Sequence, residues 1–367
     1  MHKPLKRALI VFAITSVVGL TAVLMVARTA WRYGDTPGGT AQGKVAVEIP
    51  AGATARDVAE RLQAAGLIGN PVVFRLYAGQ RGVAGRFKAG RYEVDAPASP
   101  KQILDTLVKG AADELVTVVV PEGKNLVEVA DIMAAAGVAG RAELIMKATD
   151  PAFAAELGLP GATLEGYLFP DTYRMRPHTS PARALIPLVR RHRQVFGELK
   201  AAHAKGAAEL KRTLGFDDQK LVTLASIVEK ETGRAEERPR IAQVFINRLT
   251  FPTFKPKLLQ TDPTIIYGCT VATPRSNACL KWDGRIRRIQ LDDRENPYNT
   301  YTHEGLPPGP ITNPGRKALE AVMAADGTPY LYFVARNDGT HQFSKTVAEH
   351  NAAVVKFQRG GKALPSE

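Results

Sequence analysis

Residues 8–27 form an unbroken run without a charged side chain, preceded by Lys3, Lys6 and Arg7. A helix of about 20 apolar residues crosses a bilayer core. A cleaved signal peptide usually has an apolar stretch of only about 7–15 residues and a small-x-small exit, which Met25-Val26-Ala27-Arg28 does not supply. The pattern predicts an uncleaved transmembrane helix. The basic residues before it put the N-terminus in the cytoplasm, with Arg28 and Arg32 as a weak counter-signal, so everything from about residue 35 is expected outside.

After a Gly-, Pro- and Thr-containing stretch at 35–42 that reads as a linker, a unit of strand, Pro-x-Gly turn and helix occurs twice. Val47-Glu-Ile-Pro50-Ala-Gly52 leads into Val58, Leu62, Ala65 and Leu67, and Val118-Val-Val-Pro121-Glu-Gly123 leads into Val127, Val129, Ile132 and Met133. Both helices end in Ala-Ala-Gly, at Gly66 and Gly137, the residue type that takes a left-handed stop without steric cost. Between the two units, residues 88–94 read as a strand, and Ser99-Pro100 caps a helix running to Val108. These are small α+β units suited to binding or spacing. From about residue 181 the period is helical, with a basic cluster at 190–193.

A helix is predicted from an N-cap at Asp217 or Asp218 to Thr232, stopped by Gly233. Its stripe is Leu221, Leu224, Ala225 and Val228, at i, i+3, i+4 and i+7. On a helical wheel Glu231 lies roughly 70° from the stripe's centre and Glu229 roughly 90°, so Glu231 is the better placed for partial burial. A carboxyl withdrawn from water keeps its proton near neutral pH and can act as a general acid. The plain alternative is that both glutamates end a solvated helix. A second helix is expected over 239–249. Polar runs around Gln260 to Thr264 and Asn296 to Tyr301, with the Pro-Gly turns of 305–311, have the polar and aromatic mixture of a sugar-binding cleft.

Charge and cysteines narrow the setting. The formal charge is +13; five basic residues flank the span, which leaves +8 for the exported part and suits anionic lipid or polymer. Nucleic acid is excluded as a partner by compartment. Cys269 and Cys279, ten apart, are expected to close a local disulfide rather than remain free thiols, worth about 2–3 kcal/mol. No Gly-x-Ser-x-Gly, His-Glu-x-x-His or Ser-x-x-Lys set is present, and the scattered histidines predict no metal site and no cofactor.

The runs at 224–232 (LASIVEKET), 244–249 (VFINRL), 260–264 (QTDPT), 298–301 (YNTY), 305–311 (GLPPGPI), 330–334 (YLYFV) and 165–171 (EGYLFPD), with His350-Asn351, resemble the endolytic murein transglycosylase (YceG-like) family. The resemblance implies a membrane-anchored protein of α+β class: transmembrane helix, small LysM-like α+β modules, then a mixed α/β catalytic domain. The corresponding boundaries are 1–7 cytoplasmic flank, 8–27 span, 28–43 linker, 44–112 LysM-like module, 113–180 second α+β unit and 181–360 catalytic domain.

It also implies cleavage of the MurNAc–GlcNAc bond of nascent peptidoglycan to leave 1,6-anhydroMurNAc ends, with Glu231 as catalytic residue. Glycan strands are then the substrate, the inner membrane the anchor, peptidoglycan synthases the partners and the periplasm the site of action. Gln260, Asp262, Thr264, Asn299 and Tyr301 are candidate substrate contacts. Glu165 is a further candidate that leans toward a structural role. The segment between Gly268 and Asn296, with both cysteines and Arg285-Ile-Arg-Arg288, matches no family motif. A non-catalytic membrane-anchored tether for peptidoglycan is the rival reading.

Overall fold

The computed structural model describes residues 32–50, 52–110 and 115–360. The anticipated membrane span at 8–27 lies outside the described residues. Among those described, no helix is long and apolar enough to cross a membrane. The chain divides into two compact units, Met1–Glu114 and Leu115–Glu367.

In the first unit, β1 (Gly43–Ile49) is followed by α1 (Ala55–Ala64) and α2 (Pro71–Gln80), then by β2 (Gly90–Ala96) and α3 (Pro100–Lys109). β1 and β2 pair antiparallel with Val47 opposite Tyr92. Alternation along the strands turns Val47, Ile49, Tyr92 and Val94 inward, where they meet Val58, Leu62, Phe74, Ile103 and Leu107. Reciprocal capping fixes two helix starts: Thr54 with Asp57 at α1, and Ser99 with Gln102 at α3, each satisfying donors that the first turn leaves unpaired.

The second unit begins on the same plan. β3 (Val116–Val119), α4 (Leu126–Ala135), α5 (Arg141–Ala148), α6 (Pro151–Glu156) and β4 (Thr172–Met175) follow one another, and β3 pairs antiparallel with β4, Val116 opposite Met175. The repeated Ala-Ala-Gly has one geometry in both copies. Gly66 and Gly137 take φ of +69° and +72°, and the next amide reaches back to the helix, Leu67 N to Leu62 O at 2.9 Å and Val138 N to Met133 O at 3.0 Å. A β-carbon would strain that turn.

The rest is mainly helical: α7 (Pro181–Ala202), α8 (Ala204–Leu214), α9 (Asp218–Glu231), α10 (Arg238–Thr250), α11 (Asp262–Thr270), α12 (Asn277–Leu280), α13 (Arg288–Leu291) and α14 (Arg316–Met323). The hairpin β5 (Tyr332–Ala335) and β6 (His341–Ser344) and the final helix α15 (Val347–Gln358) complete it. Helix α9 is the axis of this core and packs against α10 and α14. Asp217 is its N-cap, accepting from Lys220 N.

Two expectations for α9 need correction. Its burial is not confined to a stripe, since every residue from Leu221 to Glu229 is buried; a helix surrounded by protein has no solvent face for a wheel to find. Nor does it stop at a left-handed Gly233. Thr232 leaves the helix extended, at φ −148° and ψ 138°, and its hydroxyl accepts from Arg234 N at 3.0 Å.

Candidate active site

Helix α9 ends with two glutamates in opposite circumstances. Glu229 is 9% exposed and both its carboxylate oxygens are engaged: Arg238 Nη2 donates to Oε1 at 2.7 Å and Gly315 N donates to Oε2 at 2.9 Å. Glu231 is half-buried. Thr261 Oγ1 donates to its Oε1, and no described residue hydrogen-bonds Oε2. Glu229 is the less exposed residue as a whole, while the Glu231 carboxyl itself is withdrawn from water at the helix end. Glu229 is a saturated structural group, and Glu231 keeps an oxygen available.

Burial pushes the Glu231 carboxyl above its ordinary range. The Thr261 hydroxyl opposes that shift, the negative charge of Asp262 adds to it, and Arg248 and His341 oppose it. A carboxyl so placed can hold a proton and release it.

Thr261 reaches Glu231 because two loops are zipped together. Gln260 N donates to Thr300 O at 3.1 Å, Thr261 N donates to Thr300 Oγ1 at 3.1 Å, and the hydroxyls of Thr264 and Thr300 lie 2.9 Å apart. Gln260 is exposed and takes φ +53°, a left-handed conformation uncommon outside glycine. Asp262 is exposed at the start of α11 and accepts from Tyr301 Oη at 2.7 Å. The structure therefore gathers Glu231, Asp262 and Tyr301 by direct bond or charge, and sets Gln260 on the same loop.

The other three candidates are engaged within the protein. Thr264 is fully buried and donates to Thr261 O at 2.7 Å. Asn299, also fully buried, donates to the carbonyls of Gln290, Leu291 and Asp293 at 3.1, 3.0 and 2.7 Å. Its carbonyl oxygen accepts from Tyr301 N at 3.0 Å. Asn299 thus shapes the loop that carries Tyr301, with its side-chain amide engaged within the protein. Glu165 is 2% exposed, takes Leu126 N on both oxygens at 3.1 and 3.0 Å, and accepts from Asn313 Nδ2 at 3.2 Å. It caps the start of α4, and burial pushes its carboxyl up to about 8.

Cys269 and Cys279 are joined by a disulfide, with Cα atoms 4.4 Å apart. They sit with Ile265 in a small apolar cluster against which Trp282, Ile286, Leu291 and Tyr301 pack. The segment without a family motif is thereby braced against Tyr301. Among the described residues no group of three or more His, Cys, Asp or Glu is placed to hold a metal ion. A cavity of about 460 Å³ between α8, α10 and the end of α14, lined by Leu210, Ile246 and Met323 among others, includes none of these site residues.

Sequence reasoning missed three neighbours of Glu231. Thr261 lies in the run 260–264, between the candidates Gln260 and Asp262. Arg248 carried a usable signal, a cation one turn after Val244 on an apolar helix face. His341 had none; its ring is held by Glu237, Nδ1 to Oε2 at 2.7 Å, across a hairpin closed by tertiary contacts.

Glu231 is thus a protonatable carboxyl at a helix end, one oxygen held by a hydroxyl, with an acid and a cation nearby. The model of the YceG-like family matches residues 47–356, and the chain belongs to that family. It is 31% identical over 328 residues to the endolytic murein transglycosylase of Bacillus subtilis, covering 85% of this chain and 84% of that one. It is 29% identical over 342 residues to the protein of the same name from Streptococcus pneumoniae D39, covering 85% of this chain and 58% of that one. The crystal structure of a YceG-like protein from Listeria monocytogenes superposes with a TM-score of 0.52 at 31% identity, over 85% of this chain and all of that one.

Proposed function

We propose that this protein is an endolytic murein transglycosylase, cleaving the MurNAc–GlcNAc bond of nascent peptidoglycan without water to leave 1,6-anhydroMurNAc ends. The observation that carries the reading is Glu231: a carboxyl raised by burial, held on one oxygen by Thr261 and free on the other. Family membership and the relatives' names support the same activity.

In the first step Glu231 gives its proton to the leaving GlcNAc oxygen as the muramyl C1–O bond breaks. In the second the muramyl 6-hydroxyl bonds to C1 and its proton passes to the Glu231 carboxylate, which resets the enzyme. One residue acts as acid and then as base, as in retaining glycosidases. No second catalytic carboxylate is required, because the attacking oxygen belongs to the substrate. Gln260, Asp262 and Tyr301 would orient the sugar.

The same proposal covers the setting. The first unit acts as a LysM-like module, residues 8–27 anchor the chain in the inner membrane with the catalytic unit in the periplasm, and cleavage ends strands made by peptidoglycan synthases. The test is mass spectrometry of glycan strands incubated with the full chain. Wild type should release anhydro-ended fragments and Glu231→Gln none. A tether would bind strands and release nothing in either form.

A further inference from the structure

Arg248 is as buried as Arg238, each 6–7% exposed, yet the two are compensated differently. Arg238 makes a contact pair with Glu229 at 2.7 Å and has Glu122 at 3.7 Å. Arg248 makes no ion pair with any described residue. Its Nε donates to Leu331 O at 2.8 Å and its Nη1 to Leu259 O. The guanidinium carbon lies 5.9, 5.7 and 5.7 Å from the ring centres of Phe245, Phe254 and Tyr332. A buried cation is expensive unless something offsets it, and the carboxylate whose charge Arg248 feels is Glu231.

We propose that Arg248 is a positioning residue for glycan cleavage, holding the Glu231 carboxylate in the interval between giving up one proton and taking the next. The inference rests on the reading of Glu231 as proton carrier. In that interval Glu231 is a partly buried anion, with Asp262 adding like charge. A guanidinium does not lose its proton, so the compensation is permanent.

Its separation matters as much as its sign. A contact pair like that of Arg238 with Glu229 would occupy the oxygen that must give up the proton and take the next. The carbonyl fork and the three rings hold Arg248 back from such contact. The bond to Leu259 O also braces the loop that carries Thr261. The groups facing Glu231 are therefore Thr261 and Asp262 at the start of α11, Tyr301, Arg248 from α10, and His341 of β6 held by Glu237.

The test measures kcat and KM for anhydro-end release across pH, using the full chain as wild type, Arg248→Gln and Arg248→Lys. Arg248→Gln should lower kcat by about tenfold or more with KM little changed. It should also move the alkaline limb of kcat upward, because Glu231 without the cation keeps its proton to higher pH and gives it up less readily. Arg248→Lys, which keeps the charge, should leave the limb in place.

An Arg248→Gln limb that does not move, beside an active wild type, overturns the inference alone. A wild type that releases no anhydro ends overturns the functional reading and this inference with it. If Arg248→Gln does not fold, Arg248→Lys decides. Retention of at least about a tenth of kcat with the limb in place supports the role of charge; a larger loss with the limb in place assigns Arg248 to bracing only and overturns it.

Discussion

Exchanging each α9 glutamate for glutamine should separate folding from catalysis. At Glu229 the carboxylate accepts from Arg238 on one oxygen and from Gly315 N on the other. A glutamine can accept only one of these and turns an NH2 group toward the second donor. Arg238, 6% exposed, keeps only Glu122 at 3.7 Å. Breaking a buried ion pair from one side costs about 3–5 kcal/mol. For a unit of this size each kcal/mol moves the melting temperature by roughly 2–4 °C, so the unfolding transition of the second unit should fall by about 10 °C.

At Glu231 the amide oxygen can still accept from Thr261 Oγ1, and stability should change by less than about 1 kcal/mol. Anhydro-end release should fall by a factor of about 10²–10⁴. Calorimetry and product analysis on both variants give the comparison. A Glu229→Gln chain that melts like wild type and has lost activity, or a Glu231→Gln chain with full activity, would refute the assignment of roles.

Three further outcomes follow from the same geometry. Glu165, whose folded carboxyl is raised from 4.5 to about 8, contributes stability that is complete below about pH 4.5 and lost as pH rises toward 8; melting curves from pH 5 to 9 should fall for wild type and stay flatter for Glu165→Gln. Asn299→Ala removes the donor to three buried carbonyls and should destabilise by about 3 kcal/mol, read as a lower melting temperature rather than a selective rise in KM. Cys279→Ser opens a ten-residue loop and should cost about 2–3 kcal/mol, with reduced anhydro release because Tyr301 loses its packing; activity equal to wild type would separate the brace from the cleft.

Much of the fold could be read along the chain because the information is local. The Ser99 cap, the cap at Asp217 or Asp218 and the paired Ala-Ala-Gly stops depend on residues within five positions of one another, and the structure realises them at Ser99, Asp217, Gly66 and Gly137. The helix expected over 239–249 appears as Arg238–Thr250. The strand expected over 88–94 is shifted to Gly90–Ala96, since its register is set by pairing with β1 rather than by its own pattern.

The site was legible only in part. Motif runs located Glu231, Asp262 and Tyr301, but the types Asn, Thr and Glu are the same whether they face a sugar or satisfy carbonyls and helix amides. Asn299, Thr264 and Glu165 do the latter, and which role applies depends on neighbours as far away as Leu126 from Glu165.

What the sequence determined by itself is therefore the local grammar: where helices start and stop, which two units repeat, which family the chain joins. Tertiary structure alone decided which carboxyl is saturated and which keeps an oxygen free. Burial and charge compensation are sums over groups brought together from distant parts of the chain, here Thr261, Arg248 and His341 around Glu231, and Arg238 with Gly315 around Glu229. No window along the sequence contains those sums.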